Sequence, residues 1–251
     1  MSAILELQGV TKAYDQYTVV DDFSMTVTEG ELRCLLGPNG AGKTTTMDLI
    51  TGRQKMTGGK VIFQGRDITG LTEHKIVKQG IGRKFQIPAV FKDLTVQDNL
   101  QAAFTRTTNP FRNMLEFRQG AGRERLEQVV ELVGLQERLD EMGGNLSHGE
   151  TQWLEIGMVL TQNPKLLLMD EPTAGMTEQE THKTSEIFNR LKGEHTLIVV
   201  EHDMTFVREI ADIITLMHLG KTLAEGPMAE VESNPKVREV YLGSEGISDA
   251  A

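Results

Sequence analysis

Three short stretches of this chain carry side chains whose types and spacing could do chemistry. GPNGAGKTT, residues 37–45, fits G-x-x-x-x-G-K-[ST], the pattern of a loop that cradles phosphates. Its glycines would let backbone N–H groups converge on an anion, and the start of a following helix would add a favourable dipole. Lys43 would reach the β- and γ-phosphates of a nucleotide, and the Thr44 hydroxyl would ligate Mg²⁺. LLLMDE, residues 166–171, ends an apolar run in two carboxylates, which would be costly there without a use for their charge. Asp170 suits the coordination sphere of Mg²⁺, and Glu171, one residue further out, could polarise an attacking water. LSHGETQ, residues 146–152, brings a serine, a histidine and a glutamate together, which raises the question of a hydrolase triad.

That third stretch reads better as a helix start. Ser147 and Glu150 form the S-x-x-E of a capping box, just ahead of Trp153, Ile156, Gly157 and Leu160 at helical spacing. A helix N-terminus with a serine and a glycine backbone suits the binding of an anion rather than acid–base cleavage.

The elements that must position these residues follow from hydrophobic patterning. LRCLL, directly ahead of the glycine loop, is an unbroken apolar run of the kind that fills a buried strand. KLLLMDEP and TLIVVEHD repeat the pattern and end in acids, with a helical pattern over about 178–192 between them. This βαβ order predicts a parallel sheet whose functional edge lies at the C-terminal ends of its strands. ILELQGV and FSMTVT alternate, the latter with Phe23, Met25 and Val27 on one face. GKVIFQG is a further short strand, and IITLMHLGKTLAEG reads as two strands joined at Gly220-Lys221. DLTVQDNLQAAF predicts a helix capped at Asp93 or Thr95, and RERLEQVVELVG one that buries Leu126, Val129, Val130 and Val133 and stops at Gly134. The segment 105–122 has no clear period.

Composition narrows the class. With 251 residues and 39% apolar content the chain can bury one sizeable core. A net charge of −10 argues against a nucleic-acid partner. The single cysteine, Cys34, excludes an intramolecular disulfide framework and lies in an apolar run, as core. No apolar stretch approaches the roughly 20 residues that span a bilayer, and MSAILELQGV lacks the features of a secretory signal. A soluble, cytoplasmic protein is expected, serving a membrane only by docking onto another protein.

In this order the motifs resemble the ATP-binding subunits of ABC transporters, over nearly the whole chain. The resemblance implies an α/β fold: a P-loop (RecA-like) core with a mostly parallel sheet, an N-terminal antiparallel β subdomain and an inserted α-helical subdomain. The expected division is 1–87 with 160–235 for the core, 88–159 for the helical unit that carries the signature motif, and 236–251 as a tail. By the same resemblance Gly37, Pro38, Asn39, Gly40, Ala41, Gly42, Lys43, Thr44 and Thr45 hold the ATP phosphates, and Tyr14 stacks on adenine. Gln86, in IGRKFQIP, links Mg²⁺ to the helical unit, and His202, in VVEHDM, is the switch histidine near the γ-phosphate. The other histidines, such as His74 and His182, are expected in solvent. LSHGETQ stands in the place of the signature motif, where Ser147, Gly149 and Glu150 would close on ATP held by a second subunit. His148 replaces the commoner glycine there, Glu150 replaces glutamine, and Thr177 stands where an aspartate is frequent.

The implied partners are permease subunits, a second ATPase subunit and, indirectly, a solute-binding protein, on the cytoplasmic face of a bacterial inner membrane. LSHGE, EPTAGMT and VEHDM together look like the branched-chain amino acid and amide branch of the importers. GIGRKFQIPAVFKDLTVQDNL and LSHGETQWLEIGMVL are most similar to the urea-type importer's first ATPase subunit, so urea or a short amide is the expected cargo, with a branched-chain amino acid as the alternative. A soluble ABC ATPase without a transporter would usually carry two ATPase halves or a coiled-coil insertion, and a GTPase would carry N-K-x-D; neither feature is present.

Overall fold

The computed structural model describes residues 2–84, 90–104 and 121–239. Gln86 and most of the segment without a clear period (105–120) lie outside the described residues.

The apolar runs form the centre of a six-stranded sheet. Strands β3 (Leu32–Leu36), β7 (Leu166–Asp170) and β8 (Thr196–Val200) are buried at every position, which is why they read as continuous rather than alternating. Alternation survives only in which core each residue enters. Leu167, Met169, Leu197 and Val199 join one cluster, and Leu166, Leu168, Ile198 and Val200 the other. With β6 (Ile81–Lys84), β9 (Ile213–His218) and β10 (Lys221–Gly226), the order is β10-β9-β3-β8-β7-β6. All pairings are parallel except β9 with β10. Leu35 and Asp170 both pair with Val200, so three strands deliver their functional ends to one edge.

A second, antiparallel sheet orders β1 (Ala3–Tyr14), β2 (Tyr17–Thr28), β4 (Gly58–Phe63) and β5 (Arg66–Asp67) as β2-β1-β4-β5. Phe23, Met25 and Val27 face inward as the alternation predicted, and pack with Met47 and Ile50 of α1 (Lys43–Ile50). Helix α2 (Glu73–Gln79) leads into β6.

The helices between β6 and β7 share one core with the sheet. Thr95, not Asp93, caps α3 (Val96–Ala103), its hydroxyl accepting from the Asp98 N–H at 3.1 Å. Helix α4 (Ala121–Val133) ends where Gly134 takes φ +67°, and its Leu126, Val129, Val130 and Val133 pack with Trp153, Ile156 and Leu160 of α5 (His148–Leu160). Helix α6 (Glu178–Leu191) joins β7 to β8, and α7 (Met204–Ile210) follows β8.

Two expectations need correction. The β9–β10 turn is Leu219-Gly220, one residue earlier than expected. Glycine is required inside it, because a Cβ on Gly220 would lie 2.6 Å from the Val19 carbonyl oxygen. Nor are all histidines other than His202 solvated. His74 and His182 are exposed, but His195 is buried and its Nδ1–H donates to the Pro164 carbonyl at 2.6 Å. Burial pushes its pKa below the ordinary histidine value, with the Pro164 bond opposing. Its sequence neighbours Glu194 and Thr196 disguise that burial. Cys34 is core as expected, and burial pushes its thiol up. Among the described residues no helix is long and apolar enough to cross a membrane.

Candidate active site

The glycine loop leaves β3 at its buried end and turns directly into α1. Gly37 and Gly42 take φ +150° and +102°. A Cβ on Gly37 would sit 2.3 Å from the Met217 carbonyl oxygen, and one on Gly42 2.8 Å from that of Val19. These glycines are therefore forced by neighbouring backbone. Gly40 is different: a Cβ there would meet nothing within 4 Å, so its side of the loop is open. Gly42 caps α1 with no side-chain hydrogen bond, which leaves the first N–H groups of α1 free of a capping side chain. Lys43 folds over the loop, its Nζ donating to the carbonyls of Gly37 at 2.6 Å and Pro38 at 3.2 Å. Burial lowers its pKa, while Glu171 and Asp170 oppose that shift. Pro38, Asn39 and Ala41 complete the loop, and Thr44 and Thr45 follow Lys43 in the first turn of α1.

Asp170 ends β7 buried, 3% exposed. Burial pushes its carboxyl above the ordinary range, and Arg83, whose Nη2 lies 3.4 Å from Oδ2, pulls it back. Arg83 also reaches Asp48 of α1 at 2.6 Å, so one guanidinium ties the strand end to the phosphate-loop helix. The neighbouring Lys84 is buried against Glu155 of α5 at 3.3 Å, linking β6 to the third motif. A hydroxyl at Thr44 and a carboxylate at Asp170 are hard oxygen donors that fit Mg²⁺. Among the described residues no three His, Cys, Asp or Glu side chains cluster as a metal cage, so phosphate and water oxygens would complete such a sphere.

Glu171 sits one residue beyond β7 at φ +46°, a region costly for a side chain with a Cβ. Its N–H donates to the Val200 carbonyl at 2.9 Å, which holds it over the end of β8. His202 Nδ1 stands 3.8 Å from Glu171 Oε1, and the imidazole is exposed. Beneath them Glu201, 1% exposed, accepts from the Thr173 N–H at 3.1 Å, the Thr173 hydroxyl at 2.5 Å and the His202 N–H at 3.0 Å. That carboxylate, unassigned in the sequence reading, ties the loop after Glu171 to His202. The parallel register of β7 and β8 reveals it, together with the unspent acid in VVEHD.

Ser147 caps α5 as the spacing predicted, its hydroxyl accepting from the Glu150 N–H at 3.2 Å. Glu150 is committed twice: Oε2 accepts from the Ser147 N–H at 2.9 Å and Oε1 from Arg138 Nε at 2.9 Å. Burial alone would raise its pKa, but the Ser147 N–H and Arg138 outweigh it and the net shift is downward. His148 Nε2–H donates to the Ala174 carbonyl at 2.8 Å, so this residue docks α5 on the loop after β7. Gly149 is buried in the first turn of α5. No triad forms among Ser147, His148 and Glu150: the serine and glutamate cap one another, and the histidine faces a different loop. Tyr14 lies at the end of β1, 45% exposed, with Lys12 Nζ 4.5 Å from its ring centroid and its hydroxyl donating to Gln54.

Comparison with known sequences decides the family. The ABC transporter profile matches residues 20–174. The chain belongs to the ABC transporter family. A second profile, the branched-chain amino acid ATP-binding cassette transporter, matches residues 221–247 of this ABC subunit. It is 35% identical to the high-affinity branched-chain amino acid transport ATP-binding protein BraF of Pseudomonas aeruginosa, across 96% of this chain and 98% of that one. It is 34% identical to the transport ATP-binding protein LivG of Salmonella typhimurium, over the same shares. A crystal structure of an ABC transporter's ATP-binding cassette in its ADP conformation superposes with a TM-score of 0.84 at 30% identity, covering 97% of this chain and all of that one. The fold is that of an ABC ATPase, as expected. This ABC importer subunit is an ATPase that binds ATP and partners with permease subunits.

Proposed function

We propose that this chain is the ATP-binding subunit of a branched-chain amino acid importer, docked on permeases at the cytoplasmic face of a bacterial inner membrane. The observation that carries the cargo is the match of residues 221–247 to the branched-chain amino acid cassette profile, beyond the reach of the general one. The names of BraF and LivG support it.

In this reading the loop from Gly37 to Thr45 holds the phosphates and Tyr14 packs on the adenine. Lys43 trades its two carbonyl partners for phosphate oxygens. Thr44, Asp170 and Gln86 would hold Mg²⁺, which supplies charge neutralisation at the phosphates. Glu171 takes a proton from the attacking water, and His202 keeps that water and Glu171 in register. The geometry supports these roles by gathering Lys43, Asp170, Glu171 and His202 at one sheet edge. Ser147, Gly149 and Glu150 of a second subunit complete each site. The helical unit (88–159), inserted between the core segments 1–87 and 160–235 ahead of the tail at 236–251, would pass closure to the permeases through Gln86.

A second reading, urea or a short amide as cargo, is favoured by the similarity of GIGRKFQIPAVFKDLTVQDNL and LSHGETQWLEIGMVL to the urea-type subunit. The test is ATP hydrolysis by the transporter assembled with its permeases and binding protein. Stimulation by leucine, isoleucine or valine, with none by urea, supports the main reading; stimulation by urea alone overturns it.

A further inference from the structure

The start of α5 already holds a carboxylate from its own chain. Glu180 stands in the first turn of α6, where Oε2 accepts from the Thr177 N–H at 2.9 Å and from the Thr177 hydroxyl at 3.0 Å. This is a second capping box. The other oxygen turns away from α6. Oε1 accepts from the Ser147 hydroxyl at 3.4 Å and presses on Gly149, where an added Cβ would come within 2.3 Å of it. The Thr177 N–H, the Thr177 hydroxyl, the Gly149 N–H and the Ser147 hydroxyl together hold this carboxyl below the usual range, against a smaller opposing effect of burial. The Ser147 hydroxyl is thus spent on Glu180, whose Oε1 crowds the Gly149 backbone at the helix start.

We propose that Glu180 is the resting occupant of the anion seat at the start of α5, and that the terminal phosphate presented by a second subunit must displace it before the dimer closes. This rests on the reading that Ser147 and Gly149 form the trans half of the nucleotide site. A carboxylate and a phosphoryl group carry the same sign and cannot share these donors at contact distance. The seat is kept in register with its occupant by three ties between α5 and the α6 side of the fold. His148 donates to Ala174 at 2.8 Å, Trp153 Nε1 donates to the Thr184 hydroxyl at 2.9 Å, and Lys183 Nζ lies 3.6 Å from the centre of the Trp153 ring. Glu180 can leave without unfolding α6, because Oε2 keeps its Thr177 partners while the side chain rotates. After hydrolysis and loss of phosphate, its return refills the seat and favours the open state. Glu180 therefore sets the ATP concentration at which subunits pair.

The test is an ATP titration of pairing, followed by light scattering on the full chain carrying Glu171→Gln, which removes turnover. Glu180→Gln cancels the competing charge and keeps a residue suited to the box. Glu180→Asp keeps the charge and shortens its reach. Both are expected to lower the ATP midpoint by roughly three- to tenfold, the worth of an exposed charge-assisted hydrogen bond. A purely structural role in capping α6 would raise the midpoint or leave it unchanged, and either result overturns the proposal. If the Glu171→Gln chain fails to pair with ATP, or pairs equally well with Ser147→Arg, the shared-site reading falls and the proposal with it.

Discussion

The two helix starts assigned to the nucleotide phosphates are prepared in opposite ways. At α1 the cap is a glycine without a side-chain bond, the loop beside it is open at Gly40, and the nearest charge is the cation Lys43. At α5 the cap is Ser147, its box is closed by Glu150, and the outward face is covered by Glu180. The first is made of backbone fixed by neighbouring strands, the second of side chains that can rotate. This difference assigns them different tasks. On the proposed reading a rigid open cradle would hold nucleotide in the lone subunit, and a seat plugged by its own chain would answer only when a partner arrives.

The largest effect expected from testing this contrast is on turnover. Glu171→Gln should cut hydrolysis by about 10²- to 10⁴-fold while nucleotide binding survives, whereas Lys43→Ala should lose both; stopped-time phosphate release and ATP-binding titrations separate the two. Next comes the buried pair that links the halves. Glu155→Leu alone should cost about 3–5 kcal/mol in urea unfolding, and the Lys84→Met, Glu155→Leu double variant less, because the single change takes its close carboxylate from the buried Lys84.

The glycines then rank themselves. Gly37→Ala, with a Cβ 2.3 Å from the Met217 oxygen, should cost about 3 kcal/mol or more in thermal unfolding. Gly40→Ala, with open space but φ +81°, should cost about 1 kcal/mol. Ser147→Ala should cost about 1 kcal/mol of stability at α5, where α1 has no comparable side chain to remove.

The smallest effect is one of pH. Glu150 and Glu180 both titrate below their ordinary value of 4.5 in the folded chain. Their contribution is therefore full above that value and fades as pH falls through the lower folded values. The stability gap between the parent and Ser147→Ala should narrow on acidification below about pH 4.5 in denaturant titrations.

How much was legible in the sequence follows the same contrast. The strand, glycine loop and helix of the first motif could be read directly, because they are local in the chain. The α5 cap could be read for the same reason, since Ser147 and Glu150 are three residues apart. What covers the cap could not: Glu180 is 33 residues from Ser147 and meets it only because α6 packs beside α5. Arg83 and Glu201 were missed because their partners Asp48, Asp170 and Thr173 are distant in sequence and meet them only through tertiary packing. His195 was misread because burial on this strand edge comes from tertiary packing among polar sequence neighbours. The adenine role proposed for Tyr14 rests on resemblance alone, since one aromatic at a strand end carries no chemistry of its own.

The most direct test of the shared site is a complementation measurement. One chain carries Lys43→Ala, with its cradle disabled and its α5 start intact; the other carries Ser147→Arg, the reverse. Each alone should hydrolyse ATP at background. Mixed, they can build one intact site per mixed dimer, and phosphate release should rise well above the sum of the two. Hydrolysis that never exceeds that sum would contradict a site assembled from the cradle of one subunit and the LSHGE of another.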